Sequence, residues 1–333
     1  MAEWLRSGLQ SRLHRFDSGR RLWTRFSDVT LIATSKPQSE FVVRNQLRSI
    51  ARVIAAAAMF ALATVPAISL ATAIGAGRGP WILSAFFGLD NALPRKVTGI
   101  CPGGAGQDGM PVVFSVKLDV TTLYPRDFVV VDRSGARHVP LCATTAPANE
   151  TSEDRTVLLI GQLGDHVTDP PVQVEVVGGL RDEAGDSLSG AHRSVPSYGR
   201  GPWLVYAEQA PPVPIRWSYP PGTPPLDGLL GHPTRCPAAT VQQVRVTWSG
   251  GISAPGGAEV GDAQRRGYTV TLAGGRTVTP FALGDLGDHD NYQLLCLNVM
   301  GRPLRVRASA GLFAAPRGDL NPATTAPVAA ATS

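Results

Sequence analysis

The segment Phe128-Val-Val-Val-Asp-Arg-Ser-Gly-Ala-Arg137 decides the fold, because a second version of it stands at Tyr268-Thr-Val-Thr-Leu-Ala-Gly-Gly-Arg276. Each is a run of β-branched and aromatic residues that stops at a pair of turn formers, Ser134-Gly135 or Gly274-Gly275. Such a run predicts a strand, and the small pair predicts the turn of a hairpin. Outward from the first version, residues 112–116, 138–141, 157–160 and 172–177 carry the same composition; outward from the second, residues 244–248, 277–281, 292–297 and 304–308 do. Val172, Val174 and Val176 alternate with Gln173 and Glu175, and Leu304, Val306 and Ala308 alternate with Arg305 and Arg307. That period of two belongs to a strand with one face buried. Gly, Pro, Asp and Ser clusters separate the runs, and no convincing amphipathic helix follows Ala73.

The two sets of runs predict an internal repeat. Cys101-Pro102 precedes Cys236-Pro237 by 135 residues, VVFS at 112–115 precedes VTWS at 246–249 by 134, and Gly179-Leu180 precedes Gly311-Leu312 by 132. GRGPW also occurs twice, at 77–81 and 199–203, with the shorter spacing of 122. A proline-rich insert in the second copy, with nine prolines from Pro211 to Pro237, explains the difference. Short antiparallel strands at this spacing predict sandwiches. The expected architecture is all-β, with two tandem antiparallel β-sandwich domains at 81–208 and 236–321. A stiff linker or edge loop at 209–235 would join them, and the small, polar tail 322–333 reads as disordered.

Residues 53–77 contain no charge in 25 positions and follow Arg44, Arg48 and Arg52. Basic residues, an apolar core, the helix-ending Pro66 and small residues at 69–73 make 44–73 a signal peptide or signal anchor. The 21 residues 53–73 are about enough to span a bilayer, but nine are alanine, and only the larger apolar residues insert strongly. Cleavage and export are therefore expected, with a single-pass membrane protein as the alternative. Residues 1–43 either form a basic amphipathic helix, with Trp4, Leu5, Leu9, Leu13 and Phe16 on one face, or precede a true start near Val43.

The chain's pI of about 9.3 suggests a polyanion partner, but the charge is unevenly placed. Residues 1–52 hold ten basic and four acidic residues, whereas 74–333 hold 21 and 22. The main body is near neutral, so nucleic acid binding has no electrostatic support. All four cysteines, Cys101, Cys142, Cys236 and Cys296, lie beyond the apolar stretch. An even count in the exported part predicts disulfides. Pairing within each repeat gives Cys101–Cys142 and Cys236–Cys296; the two other connectivities stay open, because Cys142 and Cys296 do not match in position.

The strand pattern resembles the bacterial Ig-like domains of exported and surface-layer proteins. The carrying residues are VVFSVKLDVTTLYPRDFVVVDRSG at 112–135, VEVVGGLRDEAGDSL at 174–188 and LRVRASAGLFAAPRGDLNPAT at 304–324. The second copy lacks the Leu-Asp-x-x-Thr-Leu of the first. The resemblance implies Ig-like sandwiches and an extracytoplasmic, non-enzymatic role, and it carries over no functional residue.

Among chemical constellations, Asp285, Asp288, Asp290 and Asn291 come first. Closely spaced oxygen donors in a loop can hold Ca²⁺, although the EF-hand spacing is absent. Glu150, Glu153 and Asp154 occupy the matching loop of the first copy. LGDH at 163–166 and 286–289 is out of register with the repeat and reads as coincidence. There is no GxSxG elbow and no HExxH helix, and Ser249 reads as a strand end. Trp203, Tyr206, Trp217, Tyr219 and Trp248 would form a glycan platform if exposed, or sandwich core if not. Asn149-Glu150-Thr151 fits a glycosylation acceptor. The sequence reading is thus a non-enzymatic structural or interaction protein of the cell envelope, periplasmic or secreted, meeting a protein or glycan partner. It touches the membrane only through 53–77 if uncleaved. A calcium- or carbohydrate-binding extracellular protein is the alternative, and a secreted hydrolase a weaker one.

Overall fold

A computed structural model describes residues 81–212, 216–221 and 233–330. The expectations for 1–43, for the leader at 44–73 and for part of the proline-rich segment fall outside the described residues. Among these residues no helix is long and apolar enough to cross a membrane.

The described chain is mostly β, and its strands come in two series of eight. The first is β1 Ile82–Ala85, β2 Asp108–Phe114, β3 Phe128–Asp132, β4 Arg137–His138, β5 Cys142–Thr144, β6 Thr156–Gly161, β7 Pro171–Val176 and β8 His192–Ser194. The second is β9 Leu204–Ala210, β10 Gln242–Trp248, β11 Tyr268–Leu272, β12 Thr277–Val278, β13 Ala282–Gly284, β14 Tyr292–Leu297, β15 Pro303–Ala308 and β16 Thr324–Ala329. In the first series the order β1-β2-β6-β5 makes one sheet and β4-β3-β7-β8 another. The second series repeats both orders, as β9-β10-β14-β13 and β12-β11-β15-β16. There the two sheets are fused at one edge. β16 runs parallel to β9 through Val328–Ala207 and Ala329–Glu208, giving eight continuous strands. β9, which spans the expected boundary at 208, pairs with β10.

Each series closes on its own core. Phe114, Phe128, Leu159 and Val174 meet in the first. Trp248, Tyr268, Leu295 and Phe313 meet in the second, where the Trp248 indole N–H donates to the Tyr268 hydroxyl at 2.9 Å. Trp248 is fully buried and so belongs to the core and not to a sugar platform.

Some features are built twice. Trp81 N–H donates to Ser115 Oγ, and Trp203 N–H to Ser249 Oγ, at 3.1 and 3.2 Å. The repeated GRGPW and VxxS motifs are therefore joined at the same point in both copies. Ser249 holds a strand end, as read from the sequence. A bulge also recurs: Val172 is the extra residue between Gln173 and Pro171, which pair with the consecutive Val131 and Asp132, and Leu304 is the extra residue between Arg305 and Pro303, which pair with Thr271 and Leu272. It corrects the alternation expected for β7 and β15. Pro171 and Pro303 turn inward while Val172 and Leu304 are exposed, because an extra residue on one strand shifts which face the residues beyond it occupy.

Three other expectations change. The runs 138–141 and 277–281 are not single strands. β4 and β12 end before Pro140 and Pro280, which have no N–H for a ladder, and β5 and β13 then join the opposite sheet. A short helix, α1 Asp262–Gly267, precedes β11. Residues 322–333 are not wholly a disordered tail, because 324–329 form β16. Thr324, Thr325 and Val328 are β-branched, and Ala326 is buried against Val306 across the ladder.

The disulfides are Cys101–Cys142 and Cys236–Cys296. Cys142 on β5 faces Ile160 on β6, and Ala282 on β13 faces Cys296 on β14. The second bridge thus uses the partner strand on the same rung, which is why the two cysteines do not match in sequence.

All the described residues belong to one compact unit. Arg317, from the second copy, donates to the carbonyls of Phe87, Tyr198 and Arg200 and packs its guanidinium over the Tyr198 ring. Phe86 meets Trp203 edge-on at 5.8 Å.

Candidate functional site

Where the two copies meet, the loop before β6 faces the loop before β14. The contact is hydrogen-bonded. Tyr292 Oη donates to the Glu153 carbonyl at 2.7 Å and accepts from Thr156 Oγ1 at 3.0 Å. Asn291 Nδ2 donates to Thr156 Oγ1 and to the Trp248 carbonyl. Thr156 and Tyr292 are the first residues of β6 and β14, so equivalent positions of the repeat touch each other.

This junction gathers five carboxylates. Glu150 and Glu153 come from the first copy, and Asp285, Asp288 and Asp290 from the second. None is more than 6% exposed. Oxygens of Glu150, Glu153 and Asp290 all lie within 4.8 Å of one another. Asp285 and His289 both have φ of 63°, left-handed geometry that bends the loop sharply between its acidic residues. Asp290 Oδ1 accepts from the Tyr292 N–H at 2.7 Å. Glu150 Oε2, Asp285 Oδ2, Asp288 Oδ2 and Asp290 Oδ2 are buried without any hydrogen-bond partner.

The electrostatics arise from that crowding. Burial pushes the Asp288 carboxyl up to about 8, helped by the charges of Asp285 and Glu150. Burial raises Asp285 to about 6, against the pull of Glu153 and Arg245. Asp290 and Glu153 are held far above the usual carboxylate range, first by burial and then by their acidic neighbours. Two like charges about 4 Å apart oppose each other by about 4 kcal/mol at an effective dielectric near 20. The nearby cations do not offset five charges. Arg155 and Arg245 both bond Glu208, at 3.3 and 3.2 Å, and the Nε of each is itself without a partner. Ionised together, these side chains require a further cation; otherwise they must hold protons.

The sequence-predicted residues are thus sorted by the fold. Asp285, Asp288 and Asp290 come together with Glu150 and Glu153. Asn291 is in the same loop, with its amide nitrogen used to hold Trp248 and Thr156. Asp154 is turned aside and accepts from Ser218 Oγ at 2.5 Å. Sequence reasoning missed Arg155, Arg245 and Glu208; an arginine inside the apolar run VRVTW was the available signal. Asp288, Asp290 and Asn291 also form part of the wall of a largely apolar cavity of about 170 Å³, beside Leu93 and Val97.

Other candidates disperse. Asp165 accepts from the N–H groups of Val167 and Thr168, whereas Asp288 lies in the acidic junction, so the two LGDH segments do different things. Asn149 is buried and donates to the Ser218 carbonyl, which closes it to glycosylation. Trp203 packs on Phe86 and Arg200, and Tyr206 under Arg155. No protein-family model matches the chain, and no curated protein or solved structure is significantly similar to it.

Proposed function

We propose that this chain is an exported, non-enzymatic structural or interaction protein of the cell envelope, built from two tandem Ig-like sandwich repeats. The observation that carries the reading is the eight-strand order present twice, each copy closed by its own disulfide. Two disulfides in a chain with no free cysteine suit an oxidising, extracytoplasmic compartment. Duplicated sandwiches give rigid spacing and large side faces, which serve a spacer or a docking module. The charge-free stretch 53–77 supplies the route out, by cleavage after the small residues at 69–73 or by retention as an anchor. The partner is a protein or glycan at the cell surface.

The test is the N-terminal residue of the mature protein isolated from its host, together with the fraction that holds it. A terminus at Thr72 or Ile74 in the periplasmic or secreted fraction is expected. An uncleaved chain in the cytosol, with four reduced thiols by mass, overturns the proposal. A second reading, binding of a divalent cation, is favoured by the buried acidic junction.

A further inference from the structure

We propose that Glu150 and Glu153 of the first copy and Asp285, Asp288 and Asp290 of the second form one Ca²⁺ site that clamps the two copies together. This deepens the second reading above and does not depend on the envelope role. Three observations converge. Oxygens of Glu150, Glu153 and Asp290 approach within 4.8 Å of one another, although they come from both copies. Four buried carboxylate oxygens, on Glu150, Asp285, Asp288 and Asp290, have no partner, and buried acceptors are seldom left so. The charge of Arg245 reaches Glu153 and Asp285, but Arg245 and Arg155 also share Glu208 as an ion-pair partner, so the two guanidiniums fall short of five carboxylates.

The donor set defines the ion. All are carboxylate oxygens, with no thiolate or imidazole among them, which selects a hard cation over zinc or copper. Five carboxylates offer up to ten oxygens, enough for the six to eight that Ca²⁺ takes in irregular geometry. Mg²⁺ demands an octahedron and keeps several waters, and a cluster this buried leaves those waters little room. A cavity borders the cluster on the side of Asp288 and Asp290. Because both copies supply ligands, occupancy would stiffen the junction and not just one loop.

The experiment uses the full disulfide-bonded protein, stripped with EGTA and returned to Ca²⁺, Mg²⁺ or neither. Calorimetric titration with CaCl₂ should give one ion per chain, and the melting temperature should rise by at least about 5 °C. Terbium should luminesce on excitation of the aromatic residues and be displaced by Ca²⁺. Asp290→Asn and Glu150→Gln should each weaken Ca²⁺ at least tenfold. In EGTA these variants should melt no lower than wild type, since each replaces a crowded carboxyl by an amide of the same size. An unchanged melting temperature with and without Ca²⁺ and no binding heat would overturn the proposal. So would an equal shift from Mg²⁺ at the same concentration, or variants that melt lower yet still answer to Ca²⁺ as wild type does.

Discussion

Trp248 and Gly201 show how single residues hold this fold. Trp248 fills the second core and has a hydrogen bond to Tyr268 that keeps its polar edge satisfied. Trp248→Ala should cost about 3–5 kcal/mol, the usual range for deleting a buried aromatic, measured by urea denaturation. Gly201 is fixed by contact: a Cβ there would stand 1.9 Å from the Leu320 carbonyl oxygen. The buried acids carry a prediction about pH. Asp285 and Asp288, ordinarily near 3.8, rise to about 6 and about 8 in the folded chain. The folded state therefore holds protons that the unfolded state releases. That stability is full below about 3.8 and is lost as pH rises through 6 and 8. With EGTA present, the melting temperature should fall steadily from pH 5 to pH 8; a flat or rising profile would show that these groups titrate normally. Asp132 acts elsewhere on the scale. Its hydrogen bond from His138 holds it down at about 2, so its contribution is lost only in stronger acid.

At the scale of elements, β16 is the strand that closes the second copy. It pairs with β15 on one side and with β9 on the other. Ending the chain at Ala323 would expose both edges and remove Ala326 from the core. The truncated chain should lose several kcal/mol in denaturant melts and become prone to aggregate, because unpaired edges invite other strands. Truncation with unchanged stability would mean that β16 is dispensable. The disulfides brace the opposite side. Replacing Cys236 and Cys296 together by serine should cost about 2–4 kcal/mol, read from the shift in the urea midpoint. Cys142 on β5 and Cys296 on β14 stand on equivalent rungs of their own copies but on opposite strands, so the rung tolerates the bridge from either partner.

For the whole molecule, the decisive fact is that the two copies share buried polar contacts. Arg317 reaches the first copy's Phe87 carbonyl, and Tyr292 reaches that of Glu153. The two copies should unfold together in a single calorimetric transition in Ca²⁺, and Arg317→Ala should lower its midpoint. Two well-separated transitions in the wild type would mean that the copies are independent beads.

Much of this was legible in the sequence. Local composition and turn chemistry act over a few residues, so Phe128–Asp132, Tyr268–Leu272 and Tyr292–Leu297 were readable with their bounds. Constant spacing revealed the repeat, and cysteine count with repeat boundaries indicated the bridges. Asp285, Asp288 and Asp290 were visible because they lie close along the chain. Tertiary structure alone decided the rest. β5, β8 and β13 are too short to declare themselves, and β16 hides in a Thr-Ala-Pro run that becomes a strand only when two neighbours pair with it. Whether Val172 and Leu304 face in or out depends on a bulge in their own strands, at which each is the extra residue. Glu150 and Glu153 stand more than 130 residues from the aspartates, and only the docking of the two copies buries all five together. Burial is what turns a plain acidic loop into a charged cluster in need of a counter-ion, and burial is a property of the packed molecule.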